Sequence, residues 1–243
     1  MNSTWQQALV ILWKEFSEQR DKRTMLIATL VASIVSIPSF SFPPLLFLRS
    51  GLQHGVELTR GTLYTFFSLA AYLIASTIFT TAVFDKERLS GTIEVLLATP
   101  LRPVSVWLGK TLFVFIASYS FATFIIWMST LVINLFRGPS APRFLPTAQG
   151  FVFFFCLFPV LAFSVSAATG FFHLRSSHAV LSRFASGGAA SACFIVPVLA
   201  ARHLMVSWKL LGLVTIFCLL LIGFLRLASL RLDREKLITP VSR

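Results

Sequence analysis

Apolar and polar residues fall in long blocks along this chain instead of alternating residue by residue. Predominantly apolar runs cover 25–48, 62–84, 111–136, 148–172, 184–201 and 208–225. Each is close to the roughly 17–25 residues that a helix needs to cross the hydrocarbon core. The pattern predicts an all-α polytopic membrane protein of six transmembrane helices, the last two the shortest and the first the least regular. Pro38, Pro43 and Pro44 predict that the first span is kinked or broken toward its outer end, because proline removes a helical donor and clashes with the preceding turn.

A separate helix precedes the spans. Ser3 and Gln6 have capping-box spacing, and Trp5, Leu9, Leu12, Trp13 and Phe16 recur on one face. Lys14, Glu15, Glu18, Arg20 and Asp21 make the rest too polar to span. Residues 1–24 are therefore expected to lie in the membrane interface, anchored by those five apolar side chains. The alternative is a soluble helix packed on a partner. Residues 25–243 then form the transmembrane domain, ending in a cytoplasmic tail over 226–243.

Composition agrees with this picture. The chain is 56% hydrophobic with a mean hydropathy of +0.81, and only 12% of its residues are charged, against about a quarter in soluble domains. The formal net charge of +12 could suggest nucleic acid, but its distribution points elsewhere. With the N-terminus inside, fifteen of the 21 basic residues fall on inner segments; only Arg49, Arg60, Arg137, Arg143, Arg202 and Lys209 remain outside. That asymmetry predicts a multi-pass protein of the cell membrane, a prokaryotic plasma or inner membrane, with both termini cytoplasmic. Cys156, Cys193 and Cys218 all fall in predicted spans, as small apolar core residues would. No cleavable signal peptide is expected.

Several chemistries find little support. His54 and Glu57 stand three apart in an outer loop, which is a weak metal signal, and no metal site is expected. No ionisable residue lies near the middle of any span, which counts against ion-coupled transport. Gly109-Lys110-Thr111 mimics the end of a phosphate-binding loop, but the position that should carry the first glycine is Val104. The chain is therefore not expected to be an enzyme or to hydrolyse nucleotide. Small residues over 185–192 suit close helix packing. Hydroxyls such as Ser68, Ser76, Thr77, Ser164 and Thr169 either line a path or bond back to their own helices. Phe151, Phe153, Phe154, Phe155 and Phe158, beside Pro159, suit a lipid-facing surface.

The charged block over 85–100 sits between the second and third apolar runs and is the largest predicted inner loop. Asp85, Lys86, Glu87 and Arg88 alternate in sign, and Ile93, Leu96 and Leu97 form one apolar face that Pro100 ends. Such a helix can seat its apolar side in a groove of another protein. The pattern Glu87, Gly91, Thr92, Glu94, Leu96, Leu97, Thr99, Pro100, followed by Gly109 and Lys110, resembles the first cytoplasmic loop of type 2 ABC exporter permeases. Trp13 to Phe16 with Lys22 and Arg23 resembles that family's elbow helix, Arg175 to Ala179 its second cytoplasmic loop, and Leu232 to Leu237 the closing segment of sodium-exporter-like members. The large external domain of some members is missing here.

The resemblance implies the membrane-spanning subunit of an ATP-driven exporter. Two such subunits, as a homodimer, would form the pathway above two copies of a separate ATPase subunit, which would hold ATP and Mg. The 85–100 block would be the coupling helix, with Asp85, Glu87, Arg88, Gly91, Thr92, Ile93, Glu94, Leu96, Leu97, Pro100 and Arg102 at the ATPase contact. A haem-exporter-type permease of cytochrome maturation is the nearest alternative. A membrane-embedded lipid-processing enzyme is a reading from another class.

Overall fold

The computed structural model describes residues 4–20, 23–50, 63–85, 102–136 and 143–175, together with Gly212, Thr215, Ile216, Leu219, Leu220 and Gly223. Five helices, and no strand, run through the continuous segments. Helix α1 is Thr4–Arg20 and α2 is Arg23–Ser50; α3 joins Leu63–Phe67, Ser68–Thr80 and Thr81–Asp85. Helix α4 is Pro103–Phe136, and α5 joins Ala148–Val152, Phe153–Leu157 and Phe158–Arg175. Outside the described residues lie Ser3, His54, Glu57, the block from 86 to 101, residues 176–183, the predicted fifth span, most of the sixth, Cys193, Cys218 and the tail.

Among the described residues two helices, Pro103–Phe136 and Ala148–Phe171, are long and apolar enough to cross a membrane; the apolar stretches Thr29–Phe42 and Ser68–Phe84 are shorter. Helix α4 starts well before the apolar run that begins at 111. Pro103 suits a first turn, where its missing donor would be unpaired anyway, and the Ser105 and Val106 amides donate to the Arg102 carbonyl at 2.8 and 3.2 Å. At 34 residues, α4 is about 51 Å long at the helical rise, well beyond the ~30 Å hydrocarbon core.

The break expected in α2 does not occur: the helix runs without interruption through Pro38, Pro43 and Pro44. Each proline forfeits one backbone bond, and the neighbouring turns are held by hydroxyls. Ser33, Ser39 and Ser41 donate to the carbonyls of Thr29, Val35 and Ile37 at 2.7–2.8 Å. Where water is excluded, abandoning the helix would cost more than losing single bonds.

Helices α2 to α5 alternate in direction, while α1 runs alongside the first turns of α4 in the same direction, Gln7 meeting Ser105 and Phe16 meeting Phe113. Phe40 of α2 stacks on Phe67 of α3, the Tyr64 hydroxyl lies 2.8 Å from Thr130 Oγ1, and at the opposite end the Phe84 ring stacks on His173 of α5. Helix α4 is the hub, packing against α1, α2, α3 and α5. One core cluster joins Tyr64, Leu69 and Tyr72 to Ile125, Ile126 and Ile133 of α4 and to Phe154, Phe158 and Leu161 of α5. A second joins Phe79, Val83 and Phe84 to Phe113 and Val114, with Leu12 of α1 against it.

The phenylalanine cluster is not one lipid-facing surface. Phe151 and Phe155 are exposed, whereas Phe153, Phe154 and Phe158 are buried in the core. The reason is a π-turn over Phe153–Leu157. Pro159 has no N–H, and the Phe158 amide reaches five residues back, to Phe153. The Phe154 carbonyl, left without a donor in its own helix, accepts from the Tyr119 hydroxyl of α4 at 3.4 Å. Cys156, expected in the core, lies on the exposed side of the same turn.

The closest helix crossing is at Gly109. A Cβ there would stand 2.7 Å from the Ala8 carbonyl oxygen and 2.8 Å from Ile11 Cβ, and neither atom belongs to a flexible side-chain end. Gly109→Ala should therefore destabilise the protein by about 1–3 kcal/mol, the usual cost of overpacking, even though alanine favours helices. Gly223, with nothing within 4 Å of its added Cβ, should tolerate alanine. Thermal unfolding of the two variants in detergent checks the contrast; equal midpoints would contradict the crossing.

Candidate functional site

The charged block's flanks, Asp85 and Arg102, stand at the same end of the bundle as α1, the first turns of α4 and the last turns of α5. Of the predicted contact residues, Glu87, Arg88, Gly91, Thr92, Ile93, Glu94, Leu96, Leu97 and Pro100 lie outside the described residues. Asp85 ends α3. Arg102 is exposed, and its guanidinium donates to Thr4 Oγ1 at 3.2 Å. Gln7 Oε1 accepts from the Ser105 hydroxyl at 3.1 Å and from the Arg102 amide at 3.5 Å. The chain leaving the block is thus tied to the first turns of α1.

Helix α1 is turned inside out relative to a soluble helix. Its inward positions are Ala8, Ile11 and Glu15, while Trp5 and Trp13 are 61% and 77% exposed and Leu9 and Val10 also face out. A soluble helix would hide the tryptophans. Of the five predicted anchors, Trp5, Leu9 and Trp13 form an exposed outer face. Phe16 sits at its edge, with its ring against Phe113 at 4.9 Å. Leu12 instead packs inward on the second core cluster.

Glu15 is the residue that pattern reading misplaced. Counted among the polar side of α1, it is instead 1% exposed, and its Oε1 lies 2.6 Å from Nζ of Lys110, which is fully buried. The Lys110 ammonium also stands 6.0 Å from the centroid of the Phe84 ring, within reach of a cation–π attraction. That ring stacks on His173 at 5.8 Å. Next to it, Thr111 Oγ1 and Phe84 Cζ would lie 2.8 and 3.1 Å from a Cβ on Gly170, and Trp107 Nε1 donates to the Ala167 carbonyl at 3.1 Å.

Gly109-Lys110-Thr111 is therefore a structural junction. Gly109 admits α1, Lys110 pairs with it, and Thr111 meets α5. The signal for this lay in Lys110 itself, a lone cation at the start of an apolar run, and in a Glu on the helix beside it.

Hydroxyls serve packing across the described helices. Tyr72 lies 2.5 Å from Ser166 Oγ and donates to the Ala162 carbonyl. Ser68, Thr77, Thr81, Ser164 and Thr169 donate to carbonyls three or four residues back, the back-bonding alternative of the two open from sequence. At the far end, Asn134 bonds both backbone groups of Phe144, Nδ2 to its carbonyl at 3.0 Å and Oδ1 from its amide at 2.8 Å. Sequence reading passed over Asn134. Among the described residues no group of three or more His, Cys, Asp or Glu is placed to hold a metal. The chain matches no family model, no curated protein and no solved structure.

Two outcomes follow. Removing one member of the Glu15–Lys110 pair, by Glu15→Leu or Lys110→Met, should cost about 3–5 kcal/mol by leaving a buried charge uncompensated, while the double variant should recover most of that loss. Unfolding midpoints of the three proteins, measured in parallel, test it. Brominated phospholipid should quench the fluorescence of Trp5 and Trp13 in vesicles, in variants retaining only those tryptophans; unquenched emission would mean that α1 faces water or protein.

Proposed function

We propose that this chain is the membrane-spanning permease subunit of an ATP-driven exporter, embedded in a prokaryotic cell membrane by six helices with both termini inside. The observation that carries the reading is the convergence at one end of the bundle. The outward-facing tryptophans of α1, the two flanks of the 85–100 block and the first turns of α4 all meet there. A bundle set in a membrane, with an interfacial helix and a charged block at one face, has the parts needed to accept force from a soluble motor. The resemblance of the Glu87 to Pro100 pattern to type 2 ABC exporter permeases supports an ABC ATPase subunit as that motor.

In this reading the apolar seat is Ile93, Leu96 and Leu97, and the orienting charges are Asp85, Glu87, Arg88, Glu94 and Arg102, with Gly91, Thr92 and Pro100 shaping the turn. Two permease subunits, as a homodimer, sit above two ATPase subunits that carry ATP and Mg. Closure of the ATPase pair displaces the block and tips the helices between inward- and outward-open arrangements.

The test is co-purification of the full chain with the ATPase subunit encoded beside it. Leu97→Asp, which puts a charge in the apolar seat, should reduce capture at least ten-fold. Glu94→Ala should reduce it less, about five-fold for a rim charge worth about 1 kcal/mol. Capture at wild-type yield by Leu97→Asp would refute the docking face. The isolated chain should hydrolyse no ATP, and turnover by it alone would overturn the division of labour.

A further inference from the structure

We propose that Lys110 and Glu15 are positioning residues that pass displacement of the 85–100 block to the bundle. Their ion pair acts as the joint between the membrane-surface helix and the foot of α4, an inference that rests on the exporter reading above. Three observations carry it.

The joint touches both ends of the block. Upstream, Phe84 is the residue before Asp85, and its ring lies 6.0 Å from the Lys110 ammonium and stacks on His173 of α5. Downstream, Arg102 and Ser105 are bonded to Thr4 and Gln7, two to three turns from Glu15 on the same helix. Any movement of the block must load α1 through Thr4 and Gln7, and Lys110 through the Phe84 ring.

The pair is also a costly way to hold two helices together. A buried ion pair stabilises little more than well-packed apolar residues of the same size, and the neighbouring Gly109 contact already brings α1 and α4 together. What an ion pair adds is direction and separability. A long, flexible ammonium arm can stay attached to its carboxylate while the helices shift, and it has a second attractive surface, the Phe84 ring, within reach.

Finally, the pair is isolated from water. Lys110 is fully buried and Glu15 1% exposed, so their attraction is not screened as a surface pair would be. Force applied to one partner is therefore felt by the other.

The test uses the full chain, reconstituted in nanodiscs with the ATPase subunit encoded beside it, and compares ATPase capture with the chain-dependent stimulation of ATP hydrolysis. The variants are the apolar double Glu15→Leu with Lys110→Met, the charge swap Glu15→Lys with Lys110→Glu, and Lys110→Arg. The apolar double should fold and capture the ATPase within two-fold of wild type but lose at least ten-fold in stimulation. The swap and Lys110→Arg should each retain a third or more of it.

If the apolar double stimulates like wild type, the pair is only structural and this proposal falls while the exporter reading stands. If the apolar double loses capture and stimulation together, the pair serves docking, which also refutes the joint. Should the wild-type chain capture no ATPase, the exporter reading fails and takes this proposal with it.

Discussion

One contact organises the described structure: the meeting of α1 with the foot of α4, where Glu15 and Lys110 pair at 2.6 Å in the absence of water. A lysine at the start of a long apolar helix has few tolerable fates. It can reach out to solvent, or it can find a carboxylate. Here Gly109 lets the α1 backbone come so close that reaching out is blocked, and Glu15 is supplied by that same helix. With Ala8, Ile11 and Glu15 committed inward, α1 presents Trp5, Leu9 and Trp13 outward. The exposed aromatic face of α1 is thus the side left over once α4 has been satisfied.

Elsewhere in the bundle, many backbone and side-chain polar groups find partners from within the protein. The π-turn in α5 illustrates it. Pro159 removes a donor, the Phe158 amide shifts to the Phe153 carbonyl, and the orphaned Phe154 carbonyl is met by Tyr119 from α4. The same turn rotates the register of the phenylalanines, so that three enter the core and two remain outside. Tyr64, Tyr72 and Trp107 likewise spend their polar tips on cross-helix bonds, so each aromatic fixes the angle between two helices as well as filling space.

How much of this could be read from residues alone follows from the range of the interactions. Helix existence is a local property, and the apolar runs at 25–48, 62–84, 111–136 and 148–172 each match a helix. Helix ends are less local. Pro103 opens α4 because a proline fits the first turn, but an apolar run counted from 111 leaves out the first two turns, which mix Val104, Val106, Trp107 and Leu108 with Ser105, Gly109 and Lys110. Five phenylalanines within the eight positions 151–158 cannot share one helical face, and the lipid-facing assignment failed for Phe153, Phe154 and Phe158, which are buried at the π-turn before Pro159. Glu15 was misplaced because its partner is 95 residues away in sequence, and an acidic residue on an otherwise polar stripe looks solvated until that partner is known. Helical spacing placed Trp5, Leu9 and Trp13 on one face of α1 but could not show that Leu12 turns to the core.

The two ends of the bundle are closed by different chemistry, and the difference has mechanical consequences. At the far end Asn134 grips both backbone groups of Phe144, whose ring is fully buried among α3, α4 and α5. A planar amide bonded twice has almost no freedom to slide; losing one bond strands a buried polar group, so this end resists gradual change. At the near end the contacts run through long arms: a lysine ammonium, an arginine, a glutamine amide. Such groups can follow a shifting partner over some ångströms with their bonds intact. The near end thus combines a close backbone contact at Gly109 with adaptable side-chain arms, whereas the Asn134 end is held by one short, planar group.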